Sequence, residues 1–114
     1  MEPRFELNCD EHGRYWFTLK GPDGAPLLMG LKCDGRIPVG IEVVSVRKAV
    51  RDIRNMVPHL AEDGAFVVLK SNSGEVLGRS PHVPRAHLRG LAARIQEMAP
   101  ISEIHDAHAH SSSH

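Results

Sequence analysis

The feature of this sequence that most constrains its fold is an internal repetition at an offset of fifty residues. The run Leu19-Lys20-Gly21-Pro22-Asp23-Gly24 returns as Leu69-Lys70-Ser71-Asn72-Ser73-Gly74, and Gly40-Ile41 returns as Gly90-Leu91. Such repetition indicates that each copy is one supersecondary unit, which buries its apolar side against the other copy. A chain of 114 residues has room for one domain. We therefore predict a single domain over residues 1–106, built from repeats at 4–58 and 59–106.

Each copy begins with a hairpin pattern, in which every second residue is predicted to face the core. The inward series are Tyr15, Phe17 and Leu19 in the first copy and Ala65, Val67 and Leu69 in the second. Glycine and Asn or Asp then provide turn chemistry, and short apolar runs at 26–31 and 75–77 predict the returning strands. Residues 5–7 predict an additional first strand, whereas its counterpart at 57–60 is weak because Pro58 lacks a backbone donor.

Each copy continues with an apolar series at three- and four-residue spacing, which is typical of an amphipathic helix. The two series are Val39, Val43, Val46, Val50, Ile53 and Val57, and then Leu88, Leu91, Ala92, Ile95, Met98 and Ala99. Pro58 and Pro100 stand where each helix is predicted to stop. Residues 101–105 predict a short closing strand, and residues 107–114 predict a disordered tail rich in His and Ser. The predicted fold is α+β, with two βββα repeats that share one antiparallel sheet and both helices packed on one face.

The first hairpin resembles that of a known family. Gly13-Arg14-Tyr15-Trp16-Phe17-Thr18-Leu19-Lys20, followed by Gly24, is similar to the G-x-Y-x-F-x-L-K…G pattern of the YegP-like proteins, small bacterial proteins with tandem repeats of a domain of unknown function. Ser45-Val46-Arg47 and Ala99-Pro100 resemble the helical part of that family. The sequence departs from the pattern at Val67, where an aromatic residue is usual. The resemblance implies paired βββα units, often dimeric, and it implies no reaction.

Composition and motifs exclude several classes of function. The formal net charge is zero with neutral histidines, and no apolar run is long enough to span a membrane. Cys9 and Cys33 lack a CxxC spacing, so we expect free thiols, and we predict a cytoplasmic protein. Neither a phosphate-binding loop nor a nucleophile motif is present. We therefore predict no enzyme, no catalytic residue and no cofactor, and the sequence identifies no small-molecule ligand.

The last ten residues are rich in histidine, the commonest transition-metal ligand. His105, His108, His110 and His114 have irregular spacing and only Asp106 as an additional ligand type. A solvated tail or a remnant of cloning explains this composition better than a metal site. We predict no metal ligands.

Arginines on the predicted helices suggest one function. Seven basic residues form this candidate nucleic-acid surface: Arg47, Lys48, Arg51, Arg54, Arg85, Arg89 and Arg94. Arginine binds phosphate with two parallel hydrogen bonds, so such a surface could follow a nucleic-acid backbone. A solvated helix face explains the same residues, and the neutral total charge favours that interpretation.

The second face of the predicted sheet suggests another function. Trp16, Thr18, Phe66 and Val68 point away from the inward series, and two helices can cover only one face. An exposed apolar patch usually marks an interface, and a self-complementary patch gives a two-fold dimer. We therefore predict a non-enzymatic interaction module that is homodimeric through its sheet or by strand exchange. Nucleic-acid binding is the alternative.

Overall fold

The computed structural model describes residues 2–106, and the order βββα occurs in them twice before a last strand. The elements are β1 (Arg4–Cys9), β2 (Tyr15–Lys20), β3 (Pro26–Gly30), α1 (Arg36–Ala49), β4 (Met56–Ala61), β5 (Gly64–Lys70), β6 (Val76–Arg79), α2 (Leu88–Met98) and β7 (Glu103–His105). Short 3₁₀ turns occupy Ile53–Asn55, Arg85–His87 and Ala99–Ile101. The predicted disordered tail at 107–114 lies outside the described residues.

The strands form one seven-stranded sheet in the order β4-β5-β6-β3-β2-β1-β7. The two hairpins meet at its centre, where Met29 of β3 pairs with Arg79 of β6. The α+β class is confirmed, but the prediction of a purely antiparallel sheet is wrong, because β7 runs parallel to β1, with Arg4 opposite Glu103. A strand that follows a helix can enter a sheet in either direction, so residue patterns left this orientation open.

The core lies between one face of the sheet and the two helices. Phe17 and Leu19 of β2, Val67 and Leu69 of β5, and apolar side chains of both helices belong to one buried cluster. The predicted inward series is therefore confirmed for these strands. The rings of Phe5 and Phe17 meet edge to face, with their centres 5.5 Å apart. This arrangement leaves the opposite face of the sheet without a covering helix in the part of the chain that the structure describes.

The first helix ends earlier than predicted. We expected helix from residue 39 to residue 57, but α1 stops at Ala49, Ile53 lies in an exposed 3₁₀ turn, and Val57 belongs to β4. The apolar spacing continued across the boundary because Ile53 and Val57 happen to fall in phase with the helix. Pro58 is tolerated within β4 because β4 is an edge strand, where a missing donor breaks no ladder bond. The predicted boundary between residues 58 and 59 falls inside this strand.

The two β-hairpins have equivalent turns. Gly24 and Gly74 adopt φ values of 81° and 89°, a region that disfavours side chains. Each donates its backbone N–H to the carbonyl three residues earlier, at 2.9 Å. The register also shifts at the same place in both copies, between Leu19 and Lys20 and between Leu69 and Lys70. The predicted turn residues are therefore confirmed.

Candidate interaction surfaces

The outer face of the sheet, defined here as the side away from the helices, mixes apolar and charged side chains. Paired residues of neighbouring strands place their side chains on the same face. The register therefore gives one row of outer-face residues across all seven strands: Val57, Val68, Arg79, Met29, Thr18, Glu6 and His105. This row is less apolar than the alternation on β2 and β5 alone suggested, because β1, β6 and β7 contribute charged or titratable residues.

The four residues predicted for a dimer interface all point to this outer face, where each has neighbours from its own chain. Thr18 is only 8% exposed, and its hydroxyl accepts a hydrogen bond of 2.9 Å from the Asn8 side chain. Trp16, Phe66 and Val68 are half-buried. A sheet-mediated dimer through these residues stays a prediction.

The Trp16 ring is part of a three-residue cluster on the outer face. Lys32 places its ammonium 5.0 Å from the centre of the ring, a cation–π geometry. The same ammonium donates to the Asp10 carboxylate at 3.1 Å. Asp10 also accepts from the backbone N–H groups of Arg14 and His12, at 3.0 and 2.9 Å. The loop between β1 and β2 is thereby connected to the segment that follows β3.

Phe66 lies in a corresponding cluster in the second half. The rings of His59 and His82 stack on it, with centre-to-centre distances of 5.2 and 4.8 Å. The Asp63 carboxylate lies 2.9 Å from Nδ1 of His82. Fifty positions separate Lys32 from His82 and Trp16 from Phe66. Each half therefore holds an aromatic ring under a basic side chain, which a loop aspartate binds.

The two loop aspartates have lowered pKa values for different reasons. The backbone N–H of Arg14 is the largest cause that lowers the pKa of Asp10 to about 2, and Lys32 and the N–H of His12 act in the same direction. The hydrogen bond with His82 is the main cause that lowers the pKa of Asp63 below its ordinary value of 3.8. The pKa of Asp10 therefore depends mainly on backbone groups of its own loop, whereas the pKa of Asp63 depends on the side chain of His82.

The basic residues predicted to bind nucleic acid do not form one free surface. Arg47 donates from Nη2 to the Ser102 carbonyl at 2.6 Å, and its guanidinium lies 5.6 Å from the centre of the Phe5 ring. Arg54 lies outside α1 and is paired with Asp52 at 2.8 Å. The other predicted residues, Lys48, Arg51, Arg85, Arg89 and Arg94, are divided between α1, α2 and the segments beside them.

Two of the remaining arginines also have partners. Arg94 lies 3.8 Å from the Asp23 carboxylate, and Nη2 of Arg85 donates to the Ala61 carbonyl at 3.4 Å. Arg85 and Arg89 line a surface cleft of about 350 Å³ that also includes Leu88. The described structure gives the nucleic-acid alternative no support, because the contacts divide these residues instead of gathering them into a free basic stripe.

Helix α1 carries an exposed apolar surface that our sequence analysis missed. Ile37, Ile41 and Val44, here called the outward stripe, are 79%, 62% and 46% exposed. Val39, Val43 and Val46 of the same helix are fully buried. At about 100° per residue the two sets lie on opposite sides of the helix. The sequence signal for the stripe is a second apolar series with spacings of four and three, on the side of the helix opposite the core series.

No group of three or more His, Cys, Asp and Glu side chains among residues 2–106 could hold a metal ion. The histidine-rich tail lies beyond these residues, apart from His105 in β7. Cys9 and Cys33 are free thiols on either side of Tyr15, across neighbouring strands. No helix of the described chain is long and apolar enough to cross a membrane.

Comparison with known proteins identifies the fold. The chain matches no protein-family model and no curated protein by sequence. Two solution NMR structures match it over nearly their full length. A UPF0339 protein from Shewanella oneidensis has a TM-score of 0.83 at 20% identity, covering 93% of this chain and 92% of the other. The yegP protein of unknown function from E. coli has a TM-score of 0.85 at 18% identity, covering 94% of each chain. The predicted resemblance to YegP-like proteins is thus confirmed in the fold.

Proposed function

We propose that this chain, which has the fold of two bacterial proteins without assigned function, is a non-enzymatic interaction module that forms a homodimer. The interaction surface that we assign is the outward stripe of α1. The observation that carries this proposal is the exposure of Ile37, Ile41 and Val44 beside one another on a regular helix.

Nothing within the described chain requires apolar residues at these positions. The core side of α1 is already filled by its own series, and polar residues on the solvent side would cost the fold nothing. Large apolar side chains at adjacent positions of a soluble surface commonly mark an interface. The outer face of the sheet offers a poorer apolar surface, because Arg79 and Glu6 lie in the same row as Val68 and Thr18.

The size of the stripe predicts a weak dimer. Full burial of an Ile or Val side chain contributes roughly 1.5–3 kcal/mol. Association costs about 4–15 kcal/mol of translational and rotational freedom, which offsets much of the gain from six such side chains. An interface of one helix per partner is also well below the standard size. We therefore expect a dimer that dissociates on dilution.

Sedimentation velocity over a range of concentrations tests the proposal. We expect the wild-type chain to change from monomer to dimer between about 10 µM and 1 mM, the range of a weak complex. Ile41→Glu places a charge at the centre of the stripe and should keep the chain monomeric throughout that range. Ile53→Glu is the matched control, because Ile53 is 55% exposed but lies in the 3₁₀ turn outside the stripe. This control should dimerise like the wild type.

Two results would contradict the proposal. A wild-type chain that stays monomeric at the highest concentration excludes a homodimer of the expected strength. A dimer that persists in Ile41→Glu but is lost in the double variant Trp16→Glu and Phe66→Glu would place the interface on the outer face of the sheet instead.

A further inference from the structure

Helix α1 has opposite charges at the two ends of its outward stripe. Lys48 continues the spacing 37, 41, 44, 48, which is the alternation of three and four residues found at a and d positions of paired helices. Asp34 lies just before the helix and lines a surface hollow of about 440 Å³ together with Ile37. The stripe is therefore bounded by an acidic residue at its start and a basic residue at its end.

We propose that two copies pair through α1 in antiparallel orientation, with Ile41 at the two-fold axis and Asp34 of each copy facing Lys48 of the other. This inference rests on the proposed function and adds the orientation and register of the interface. In an antiparallel pair of helices centred on residue 41, the facing positions are those equally distant from it along the helix. Lys48 lies seven positions after Ile41, and Asp34 lies seven positions before it, in the segment that leads into α1.

The charges favour this orientation over the parallel one. A parallel pair would place Asp34 beside Asp34 and Lys48 beside Lys48, and like charges in contact are unfavourable. Neither residue has an ion pair within the described chain, so both are available to a partner. In the antiparallel pair, the two-fold axis generates two equivalent contacts between Asp34 of one copy and Lys48 of the other. All four charged side chains then have an opposite charge beside them.

Gly40 lies beside the centre of this pairing. Glycine in a helix interior is less favourable than alanine. A Cβ added at Gly40 would meet no atom within 4 Å in its own chain, so the fold of one copy does not require glycine there. A glycine next to Ile41 instead leaves the helix backbone open to close approach by a second helix.

The chain's own tail is the alternative to a second copy as the segment that covers the outward stripe. Residues 107–114 follow Asp106, whose carboxylate lies 2.7 Å from Nε of Arg36 at the start of α1. Their sequence, AHAHSSSH, contains no large apolar residue that could cover Ile37, Ile41 and Val44. A second copy supplies matching apolar side chains as well as the opposite charges.

Cysteine cross-linking tests the register. In a background with Cys9→Ala and Cys33→Ala, Ile41→Cys should form a disulfide-linked dimer on mild oxidation, because the two copies of position 41 meet at the axis. Ile37→Cys alone should cross-link poorly, whereas a mixture of Ile37→Cys and Ser45→Cys chains should give a mixed dimer. Efficient self-linking of Ile37→Cys would indicate a parallel pair and overturn the proposal.

Charge exchange tests the ends of the stripe. Asp34→Lys and Lys48→Glu, each alone, should weaken the dimer by about fivefold at low salt, since each places like charges together. The double variant restores opposite charges and should return to within about twofold of wild type. If the double variant is as weak as the single ones, Asp34 and Lys48 do not face each other and the register is wrong.

The outcomes separate this inference from the function on which it rests. If Ile41→Glu abolishes the dimer but Ile41→Cys does not cross-link, the stripe is still supported as the interaction surface and the proposed register is wrong. A chain truncated after Asp106 should dimerise like the full chain. If only the truncated chain dimerises, the tail covers the stripe in the full chain, and the proposed pairing is overturned.

Discussion

The inner sides of the two hairpins solve one packing problem with different side chains. In the first half, the Phe17 ring lies over Gly30, and a Cβ added at Gly30 would collide with Cε2 of that ring. Fifty positions later stand Val67 and Ser80. Ser80 is buried, and its hydroxyl accepts from the Val67 backbone N–H at 2.8 Å. A smaller residue on the middle strand thus leaves room for a side chain on its neighbour.

The outer sides differ in a similar way. Lys32 covers Trp16 in the first half, whereas His82 covers Phe66 in the second, and a loop aspartate binds the basic group in both. The register of β2 with β3 matches that of β5 with β6, and so do the turns between them, while the side chains that contact one another differ as sets. The comparison teaches that the hairpin framework tolerates substitutions when the residue in contact changes with them.

The largest expected effect comes from placing serine, the residue at position 80 of the second half, at the equivalent position 30 of the first half. Gly30→Ser should lower the free energy of unfolding by about 3 kcal/mol, because the added atoms collide with the Phe17 ring. Adding Phe17→Val makes room for the new hydroxyl, which can then accept from the backbone N–H of residue 17. Urea unfolding of the two single variants and the double variant measures the coupling.

The coupling distinguishes compensation from independent damage. We expect the double variant to lose at least about 1 kcal/mol less than the sum of its two single variants. If the losses in unfolding free energy are strictly additive, the smaller side chain at position 17 does not make room for the larger one at position 30. The reverse pair, Val67→Phe and Ser80→Gly, should show the same sign of coupling.

A smaller effect is expected for two hydrogen bonds in which a side chain of one helix donates to a backbone carbonyl that follows the other helix. Arg47 of α1 donates to the Ser102 carbonyl, and Gln96 of α2 donates to the Val50 carbonyl at 2.9 Å. Hydrogen bonds from charged groups contribute about 1.5–3 kcal/mol and neutral ones about 0.5–1.5 kcal/mol. Arg47→Met should therefore destabilise the fold by about 2 kcal/mol in urea unfolding, and Gln96→Leu by about 1 kcal/mol.

Arg89→Met is the matched control, because Arg89 is exposed and no hydrogen bond or ion pair involves it in the described chain. Its effect should stay within about 0.5 kcal/mol. Equal losses for Arg47→Met and Arg89→Met would contradict a docking role for Arg47.

The smallest effect concerns the loop aspartates and requires NMR. Since the folded-state pKa of Asp10 is lowered to about 2, its stabilising contribution is present above the ordinary value of 3.8 and is lost as the pH falls through about 2. We expect the carboxyl carbon of Asp10 to titrate near pH 2. Asp63 should also titrate below 3.8, because its contact with His82 favours the charged form.

Variants of the basic partners sharpen this contrast. His82→Ala should return the pKa of Asp63 towards 3.8, since His82 is the main cause of its shift. Lys32→Ala should leave the pKa of Asp10 low, since the backbone N–H of Arg14 is the larger cause. A pKa of Asp10 that returns fully to its ordinary value in Lys32→Ala would show that the side chain, not the loop, controls it.

Residue patterns predicted the parts of the fold that short-range chemistry determines. The alternation from Tyr15 to Leu19 and the glycines at 24 and 74 located both hairpins, because strand faces and positive φ values depend on neighbouring residues. The end of α1 was missed because Ile53 and Val57 continued its spacing. The direction of β7 depends on packing across the whole sheet, which no local pattern reports.

The candidate site was less predictable for a related reason. Period-two reasoning assigned Trp16 and Phe66 to the outer face correctly, but which side chains cover them depends on loops that end beside them. The outward stripe was visible in the sequence as a second helical series. It was missed because one amphipathic face was assumed for a helix that has two apolar sides.

The pairing of β1 with β7 joins two strands that lie far apart in the sequence. Arg4 and Glu103 are neighbours in the sheet, although about 100 residues separate them. On a ribosome, β1 therefore cannot gain its outer neighbour until residues 103–105 have been synthesised, and closing so large a loop is slow. Because β1 and β7 are neighbours, a short linker from residue 105 to residue 4 should allow a circular permutant of residues 4–105 with new termini in an exposed turn.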